Sequence, residues 1–521
     1  MRGSPSELTL EPPPAASTRP NQARSVWLFW AMLFAVAFAL YAISASPEVH
    51  WQDAGQYELR VAQGQLIDPS GLCRSHPLHF WLCAAAVRAL PVPLPLAMSL
   101  VSALAGALAV ANVFGIVRQW TGQTTAGVLA AGGLALSESF WQFSSIPGTH
   151  VISAAILTLE FWALLNWDQT RRPRWLILMF LANGIGLANH NMALLSLPVI
   201  AIVLVIAIAR GQARWGTAVW SFVAWLAGSS MYLWLILAKA RSDGLGSALH
   251  SAIVGIYGNA VAGRHLLLTY TATSIAFTLF SFPNLMLPTA VVGILRWPRV
   301  GSGQLAYWAL LAATALQLGF VLRYNVITQY AFLLPAYTLI AIFCGLGFAV
   351  VVRTWSPPAA RAALALATIT ILLTPTVYLA AYGVTRHLHL LGSWARNKPY
   401  RDDYRYLLIP WSRGEHSAQL LSVHASELAG TDGLIVQPDG MGAFAVEYQL
   451  LLQGKSKVQT TSYFDWAQIE RCATAGRPVV FVPARIGGEL PSAPVGVWNR
   501  SGDLYYLDPG RSVSPSHENG K

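Results

Sequence analysis

Reactive side chains are concentrated in one segment near the start of the chain, HWQDAGQYELRVAQGQLIDPSGLCRSHPLHFW. It follows the first long apolar run and holds carboxylates, arginines and histidines, namely Asp53, Glu58, Arg60, Asp68, Arg74, His76 and His79. Carboxylates and histidines are common general bases, and the guanidinium fork of arginine fits phosphate or carboxylate. This segment is therefore the first place to look for chemistry.

Helical spacing separates the two nearest carboxylates of this segment. On a helix that begins near Asp53, Tyr57 and Arg60 follow at four and seven residues and share its face. Glu58 is turned away by about 140° at 100° per residue. Asp53 is therefore the predicted inward carboxylate, with capping of the helix as the alternative role. For Glu58 the pattern favours a solvated face or a partner for Arg60.

A second polar group, formed by Asn189, His190 and Asn191, lies between two apolar runs. Polar residues at membrane depth are rare and commonly functional. The alternative is that these side chains satisfy backbone groups where two short membrane helices meet. The spacing does not discriminate between these two roles.

The composition defines the kind of molecule that must position these groups. Of 521 residues, 55% are hydrophobic and 11% are charged, and the mean hydropathy is +0.47. Soluble domains carry about 25% charged residues, so a soluble enzyme is excluded and a mainly helical polytopic membrane protein is predicted. No loop concentrates basic and aromatic residues as nucleic-acid binding requires. The four cysteines are far apart and predict no metal site.

Eleven apolar runs predict membrane spans, at 26–43 and at about 94–117, 125–138, 150–167, 175–188, 191–209, 217–238, 266–295, 305–322, 329–352 and 361–382. With the N-terminus in the cytoplasm, every predicted cytoplasmic loop contains arginine, as the orientation rule requires. The loops at about 44–93, 239–265 and 323–328, and everything after residue 383, are then external. The segment 78–91 is too short to span and predicts an interfacial helix.

Four regions follow from this pattern. Residues 1–24 predict a disordered cytoplasmic tail, 25–382 a transmembrane domain, and 511–521 a second disordered tail. Residues 383–510 predict an extracytoplasmic α/β domain, because strand-like runs alternate with helical spacing at about 441–454 and 464–475. The strand-like runs are TDGLIVQPDG, RPVVFVPARI and VGVWNRSGDLYYLDP.

Several motifs, in order, resemble one family. QDAGQYE followed by SHPLHFWL is similar to the Asp-x-Gly and His-Pro signature of a bacterial polytopic family of unknown function related to protein O-mannosyltransferases. ESFWQFSS at 138–145, GLANHNMALLSLP at 186–198 and YNVITQYAFLLPAY at 324–337 extend the resemblance along nearly the whole chain. The resemblance implies the membrane glycosyltransferase fold called GT-C.

The resemblance also implies an activity, in which a sugar passes from a polyprenyl-phosphate donor to an acceptor hydroxyl on the outer face of the bacterial inner membrane. Asp53 is then the expected catalytic base, with Glu58 and His76 as further catalytic candidates. The expected partners of the donor phosphate are Arg60, Arg74, Arg264, His265 and Arg323, all in predicted external loops. The acceptor is a glycan, a lipid or a protein, membrane lipids surround the chain, and a divalent ion is neither required nor excluded.

The chain departs from the family pattern in the first loop. Gln56 stands where relatives have glutamate, and Leu78 with His79 replaces Pro-Gly. Two alternatives therefore stay open. One is a transporter or flippase of lipid-linked sugars, although no paired halves are evident. The other is a catalytically silent GT-C relative.

Overall fold

The computed structural model describes residues 20–258, 260, 267–326, 328–493 and 495–508. Two of the predicted phosphate partners, Arg264 and His265, lie outside the described residues. So do most of the predicted N-terminal tail and all of the predicted C-terminal tail.

Helices make up the first part of the chain, as the apolar runs predict. They are α1 (Pro20–Ser44), α2 (Gln52–Gln63), α3 (Pro77–Ala89), α4 (Leu94–Thr121), α5 (Thr124–Ala135), α6 (Glu138–Ser144), α7 (His150–Thr170), α8 (Pro173–Asn189), α9 (Leu197–Ala209), α10 (Trp215–Asp243), α11 (Leu245–Ile253), α12 (Leu268–Ser281), α13 (Met286–Val300), α14 (Gln304–Arg323), α15 (Leu334–Thr354), α16 (Pro357–Leu372) and α17 (Thr374–His387). Short 3₁₀ turns occupy Leu72–Arg74, Asn191–Leu195, Gly255–Tyr257 and Gln329–Leu333.

In the part of the chain that the structure describes, fewer helices than the eleven predicted runs have the length and hydropathy of a membrane span. Among the described residues, six helices are long and apolar enough to cross a membrane, or eight if each of two bent pairs counts as one span. The bent pairs are α12 with α13, which meet at 100°, and α16 with α17, at 47°. Helices α5 and α9 have 12 and 13 residues, about 20 Å of helix, which is short of a hydrocarbon core of roughly 30 Å.

Small residues let the helices at the centre of this bundle approach closely. A Cβ on Gly347 of α15 would lie 1.8 Å from the Thr289 carbonyl oxygen of α13, and one on Gly293 would lie 2.1 Å from that of Phe343. Glycine at both positions is therefore required by contact between backbones, as is common where membrane helices pack. Most of α15 is buried.

The end of the chain forms the predicted α/β domain. Its helices are α18 (Asp403–Leu408), α19 (Ser417–Leu428), α20 (Gly440–Leu452) and α21 (Trp466–Thr474), and its strands are β1 (Leu434–Val436), β2 (Gln459–Thr461), β3 (Val479–Phe481), β4 (Val497–Ser501) and β5 (Leu504–Asp508). The sheet order is β2-β1-β3-β5-β4, with β1 parallel to β2 and β3, and with β5 antiparallel to β3 and β4. Every strand-like run and both helical runs are confirmed, whereas α19 and β2 had no distinct sequence signal.

The α/β domain packs directly on α2, the helix of Asp53. Trp51, which caps α2, donates a hydrogen bond from its indole Nε1 to the Ser417 hydroxyl at 2.8 Å. Its ring lies against Gly442 of α20, where a Cβ would be 3.1 Å from the indole. Val49, Trp51 and Leu59 are buried in the same hydrophobic cluster as Leu421. The first external segment and the last domain therefore share one core.

Candidate active site

Asp53 lies in the first turn of α2. The N-cap of this helix is Trp51, with no side-chain hydrogen bond, so the alternative in which Asp53 caps the helix is wrong. Gln52, which precedes Asp53, has a φ of 58°, a left-handed conformation that costs a non-glycine residue about 1–3 kcal/mol and is common at functional sites. The Asp53 carboxylate is half-exposed. The helix thus presents Asp53 as an accessible group.

Arg74 holds this carboxylate. Its Nη2 lies 3.1 Å from Asp53 Oδ1 and its Nε lies 3.6 Å from Asp68 Oδ2. The same guanidinium donates to the Gln56 side-chain oxygen and to the Tyr257 hydroxyl. Burial opposes the charge of Arg74, but Asp53 and the other negative groups outweigh it and raise the pKa of the guanidinium. Arg74 is therefore a permanent cation fixed beside Asp53.

A cavity of about 230 Å³, here called the large cavity, lies on the Arg74 side of Asp53. Its polar lining includes residues of the first external segment and of the cluster near His190, together with Tyr257 and Tyr324. Its apolar lining includes Leu194, Ile253, Phe320 and Phe332. Ile253 is 56% exposed, so the apolar lining includes a side chain that is open to the surroundings. A charged head group with an attached hydrocarbon chain matches this combination.

Two stacked imidazoles form one wall of the large cavity. The His76 and His190 rings are 4.8 Å apart with 15° between their planes. His76 Nδ1 donates to the Asn189 carbonyl at 2.8 Å, and His190 Nδ1 accepts the Met192 backbone N–H at 3.1 Å. Burial lowers the pKa of His76 well below its usual range and that of His190 to about 4. Both rings are therefore neutral near pH 7, and their free Nε2 atoms have opposite roles, acceptor on His76 and donor on His190.

A second cavity of about 70 Å³, here called the small cavity, lies on the other side of Asp53. Asp53, Tyr57, His150 and Thr328 line both cavities. The remaining lining of the small cavity is rich in aromatic and polar side chains, including residues from the segment 405–415 that leads into the α/β domain. Asp53 thus lies between the large cavity and the small cavity, whose linings differ in chemical character.

Other predicted residues have mostly structural contacts. Glu58 is fully buried and bonds to His50, so the expectation of a solvated face or an Arg60 partner is wrong. Arg60 is buried and donates to four backbone carbonyls, with Asp68 at 3.6 Å. Arg323 is exposed and is not among the residues lining either cavity.

In the polar cluster after α8, Asn189 has a structural role, whereas His190 and Asn191 line the large cavity. Asn189 is buried and donates to the Thr149 carbonyl and the Ser153 hydroxyl, which joins two helices. Asn191 donates to the Ala252 carbonyl and lines the large cavity beside His190. Within the ranges that the structure describes, no group of three or more His, Cys, Asp or Glu side chains is arranged to hold a metal ion.

Sequence reasoning missed His50, Tyr257 and Gln56 as members of the site. Gln56 contacts both Arg74 and Asp68, with its Nε2 2.8 Å from Asp68 Oδ2. The substitution at the position where relatives carry glutamate could have identified this residue, whereas no local pattern marks Tyr257. His50 lies only three residues before Asp53, but it precedes helix α2. No helical periodicity at that position could therefore indicate that it belongs to the site.

Known proteins share this architecture. ArnT from Cupriavidus metallidurans bound to undecaprenyl phosphate superimposes with a TM-score of 0.59 at 13% identity, covering 92% of this chain and 97% of that chain. The apo form of the same protein gives 0.57 at 12% identity, covering 93% and 98%. Residues 75–213 also match the family model described as the N-terminal domain of the protein O-mannosyl-transferase TMEM260.

The chain has the GT-C membrane fold of these structures, and its residues 75–213 are similar to a protein O-mannosyl-transferase domain. This confirms the resemblance found in its motifs and the predicted fold class, a mainly helical polytopic protein with a C-terminal α/β domain. At such low identity the solved structures establish the fold alone. No curated protein is a significant sequence relative of the chain.

Proposed function

We propose that this GT-C protein is a glycosyltransferase that moves a sugar from a polyprenyl-phosphate donor to an acceptor hydroxyl on the extracytoplasmic side of the bacterial inner membrane. The observation that carries the proposal is the position of Asp53 between the two cavities, with Arg74 on one side of it. A transferase needs a base between its donor and its acceptor, and a fixed cation at the leaving phosphate.

The large cavity is the proposed donor site. Arg74 presents a guanidinium that forms charge-assisted hydrogen bonds with phosphate oxygens, and the His190 Nε2–H adds a neutral donor. The apolar wall, which includes the exposed side chain of Ile253, suits the first units of a lipid chain. ArnT from Cupriavidus metallidurans binds undecaprenyl phosphate, which is a ligand of this chemical class.

The proposed reaction conserves atoms and charge. The acceptor oxygen forms a bond to the anomeric carbon as the bond from that carbon to the phosphate oxygen breaks. The acceptor proton goes to the Asp53 carboxylate, and the polyprenyl phosphate leaves with the electron pair beside Arg74. Neutral His76 and His190 line the chamber without adding a second positive charge next to the leaving group.

The variant Asp53→Asn tests the role of the base. It keeps the shape of the side chain and most of its hydrogen bonding, so we expect a folded protein that binds polyprenyl-phosphate mannose. Transfer should fall about a hundredfold or more, because general-base catalysis contributes roughly that factor. Asp243→Asn is the matched control, since Asp243 pairs with Lys239 at the end of α10 and lines neither cavity. Near-normal transfer by Asp53→Asn contradicts the assignment.

Membrane orientation is tested separately. The basic predicted cytoplasmic loops support an N-terminus in the cytoplasm and an α/β domain outside. Fusions of alkaline phosphatase and of green fluorescent protein after residue 400 distinguish the two sides. We expect phosphatase activity without fluorescence, and the opposite pattern contradicts the orientation and the extracytoplasmic reaction.

A further inference from the structure

His50 and Glu58 form a buried pair at the edge of the small cavity. His50 Nδ1 lies 2.5 Å from Glu58 Oε1, and Glu58 Oε2 accepts the His50 backbone N–H at 3.0 Å. Glu58 has no exposed surface and His50 is 8% exposed. One carboxylate therefore fixes both the backbone and the ring of His50.

This pairing determines which ring nitrogen is available. The bond to Glu58 occupies Nδ1, so Nε2 is the ring nitrogen left for another partner. Among the described residues, Nε2 is buried and has no hydrogen-bond partner, although His50 lines the small cavity. A buried polar atom without a partner is unfavourable, and a hydrogen-bonding group on a bound molecule would relieve that cost.

A second unpaired polar atom belongs to a residue that lines the same cavity. Arg405 lines the cavity, and its Nε–H is buried without a hydrogen-bond partner among the described residues. A molecule that both donates and accepts hydrogen bonds would satisfy the two atoms together. Hydroxyl groups do both.

Aromatic side chains line much of the rest of the small cavity, beside polar groups such as Gln142 and Glu415. The rings come from both parts of the protein, namely Trp51, Phe143, Tyr330, Tyr406 and Trp411. A pyranose ring presents C–H groups on its faces, which pack on aromatic planes, and hydroxyls around its rim. A peptide acceptor would instead require unpaired backbone groups along an extended groove, whereas the two orphan atoms here belong to side chains inside one pocket.

We propose that the small cavity binds the acceptor, that the acceptor is a carbohydrate, and that Nε2 of His50, oriented by Glu58, forms a hydrogen bond with one of its hydroxyls. The term acceptor rests on the proposed function, while binding of a sugar in this cavity does not. Asp53 remains the base, and His50 is the positioning and specificity-determining residue. A site that pairs a substrate hydroxyl discriminates strongly against ligands that lack it.

Two substitutions of His50 separate its two nitrogens. His50→Asn places an amide N–H near the position of Nδ1, so it keeps the bond to Glu58 and removes Nε2. His50→Gln places its amide near the position of Nε2 and therefore retains a hydrogen-bonding group there. The kinetic test uses the purified full chain with polyprenyl-phosphate mannose and methyl glycosides of mannose, glucose and N-acetylglucosamine as acceptors.

We expect His50→Asn to raise the acceptor KM at least tenfold, with the donor KM and the slow hydrolysis of the donor by water unchanged. His50→Gln should recover part of the affinity. An unchanged acceptor KM in His50→Asn, or an equal rise in donor KM, overturns the proposal. So does transfer to a threonine-containing peptide but to none of the glycosides.

Direct binding separates this proposal from the proposed function. Saturation-transfer NMR of the same glycosides is measured on the wild-type chain and on both variants, with no donor present. Binding that is lost in His50→Asn supports the site even if the wild type does not turn over the donor, which would contradict only the proposed function. Equal binding to the wild type and His50→Asn, or no binding to the wild type, overturns the carbohydrate site.

Discussion

Replacing Arg74 is the most direct test of the large cavity as a phosphate site. Arg74→Gln removes the positive charge and most of the donors of the guanidinium, while Arg74→Lys keeps the charge and removes the planar fork. Both leave the apolar wall and the two histidines in place. The pair of variants therefore separates the contribution of charge from that of geometry.

The size of the effect follows from the contacts of Arg74. A hydrogen bond to a charged group contributes about 1.5–3 kcal/mol, so Arg74→Gln should weaken binding of polyprenyl phosphate by roughly 10- to 150-fold. Arg74→Lys should have a smaller effect. Arg74→Gln should cost limited stability, because the Asp53 carboxylate is half-exposed and Asp68 retains two other partners. Gln56 Nε2 lies 2.8 Å from Asp68 Oδ2, and Arg60 Nη1 lies 3.6 Å from the same oxygen. We expect a loss below the roughly 3–5 kcal/mol of a fully buried broken pair.

Calorimetric binding of polyprenyl phosphate to the purified chain measures this prediction. Arg323→Gln is the control, since Arg323 is also a candidate from the sequence but is exposed and outside the lining of both cavities. Because Arg323 lies outside both cavities, we expect Arg323→Gln to change the affinity for polyprenyl phosphate less than threefold. Equal losses in Arg74→Gln and Arg323→Gln would refute the reasoning, because the phosphate would then lie outside the large cavity.

Three further predictions concern stability. Burial, with a smaller effect of Arg60, lowers the pKa of His79 to about 3, so in the unfolded chain His79 binds a proton that it does not bind in the folded chain. This residue should therefore lower stability by about 1.4 kcal/mol per pH unit as pH drops from 6.5 towards 3, and His79→Leu should reduce the pH dependence of thermal unfolding, monitored by tryptophan fluorescence, by that amount. Gly347→Ala should lower the unfolding temperature sharply because its Cβ would meet a carbonyl oxygen, whereas Gly383→Ala, with open space around it, should not; equal shifts would contradict the close helix crossing. Gly442→Val should reduce transfer and loosen the α/β domain, detected as faster proteolysis after residue 383, since its side chain would press on Trp51.

The sequence is a good guide to the helices and a poor guide to their bends. Hydropathy marks every long helix of the membrane part, because burial in lipid requires an apolar surface on all sides. The run 266–295 predicts one span, but the chain turns through 100° between Ser281 and Met286. Pro283 and Asn284 mark that turn, and an average over a long window conceals them.

The site is predictable where its residues are neighbours in sequence. Asp53, Arg74 and His76 lie in one segment rich in reactive groups, and the structure brings them to one cavity. Helical periodicity places Glu58 on a solvated face because it does not reveal a second domain packed over α2. Arg405 escapes prediction for a related reason, since the segment 405–415 meets the first external segment only through tertiary contacts.

The hydrogen bond from Trp51 to Ser417 joins residues 366 positions apart, so the two partners are synthesised at very different times. A ribosome that has just released α2 must add most of the remaining chain before the partner of that indole exists. During this interval the large cavity can assemble from helices already made, whereas the small cavity lacks the wall supplied by the segment 405–415. In a nascent chain the large cavity can therefore form well before the small cavity. A chain truncated before the segment 405–415 never completes the small cavity.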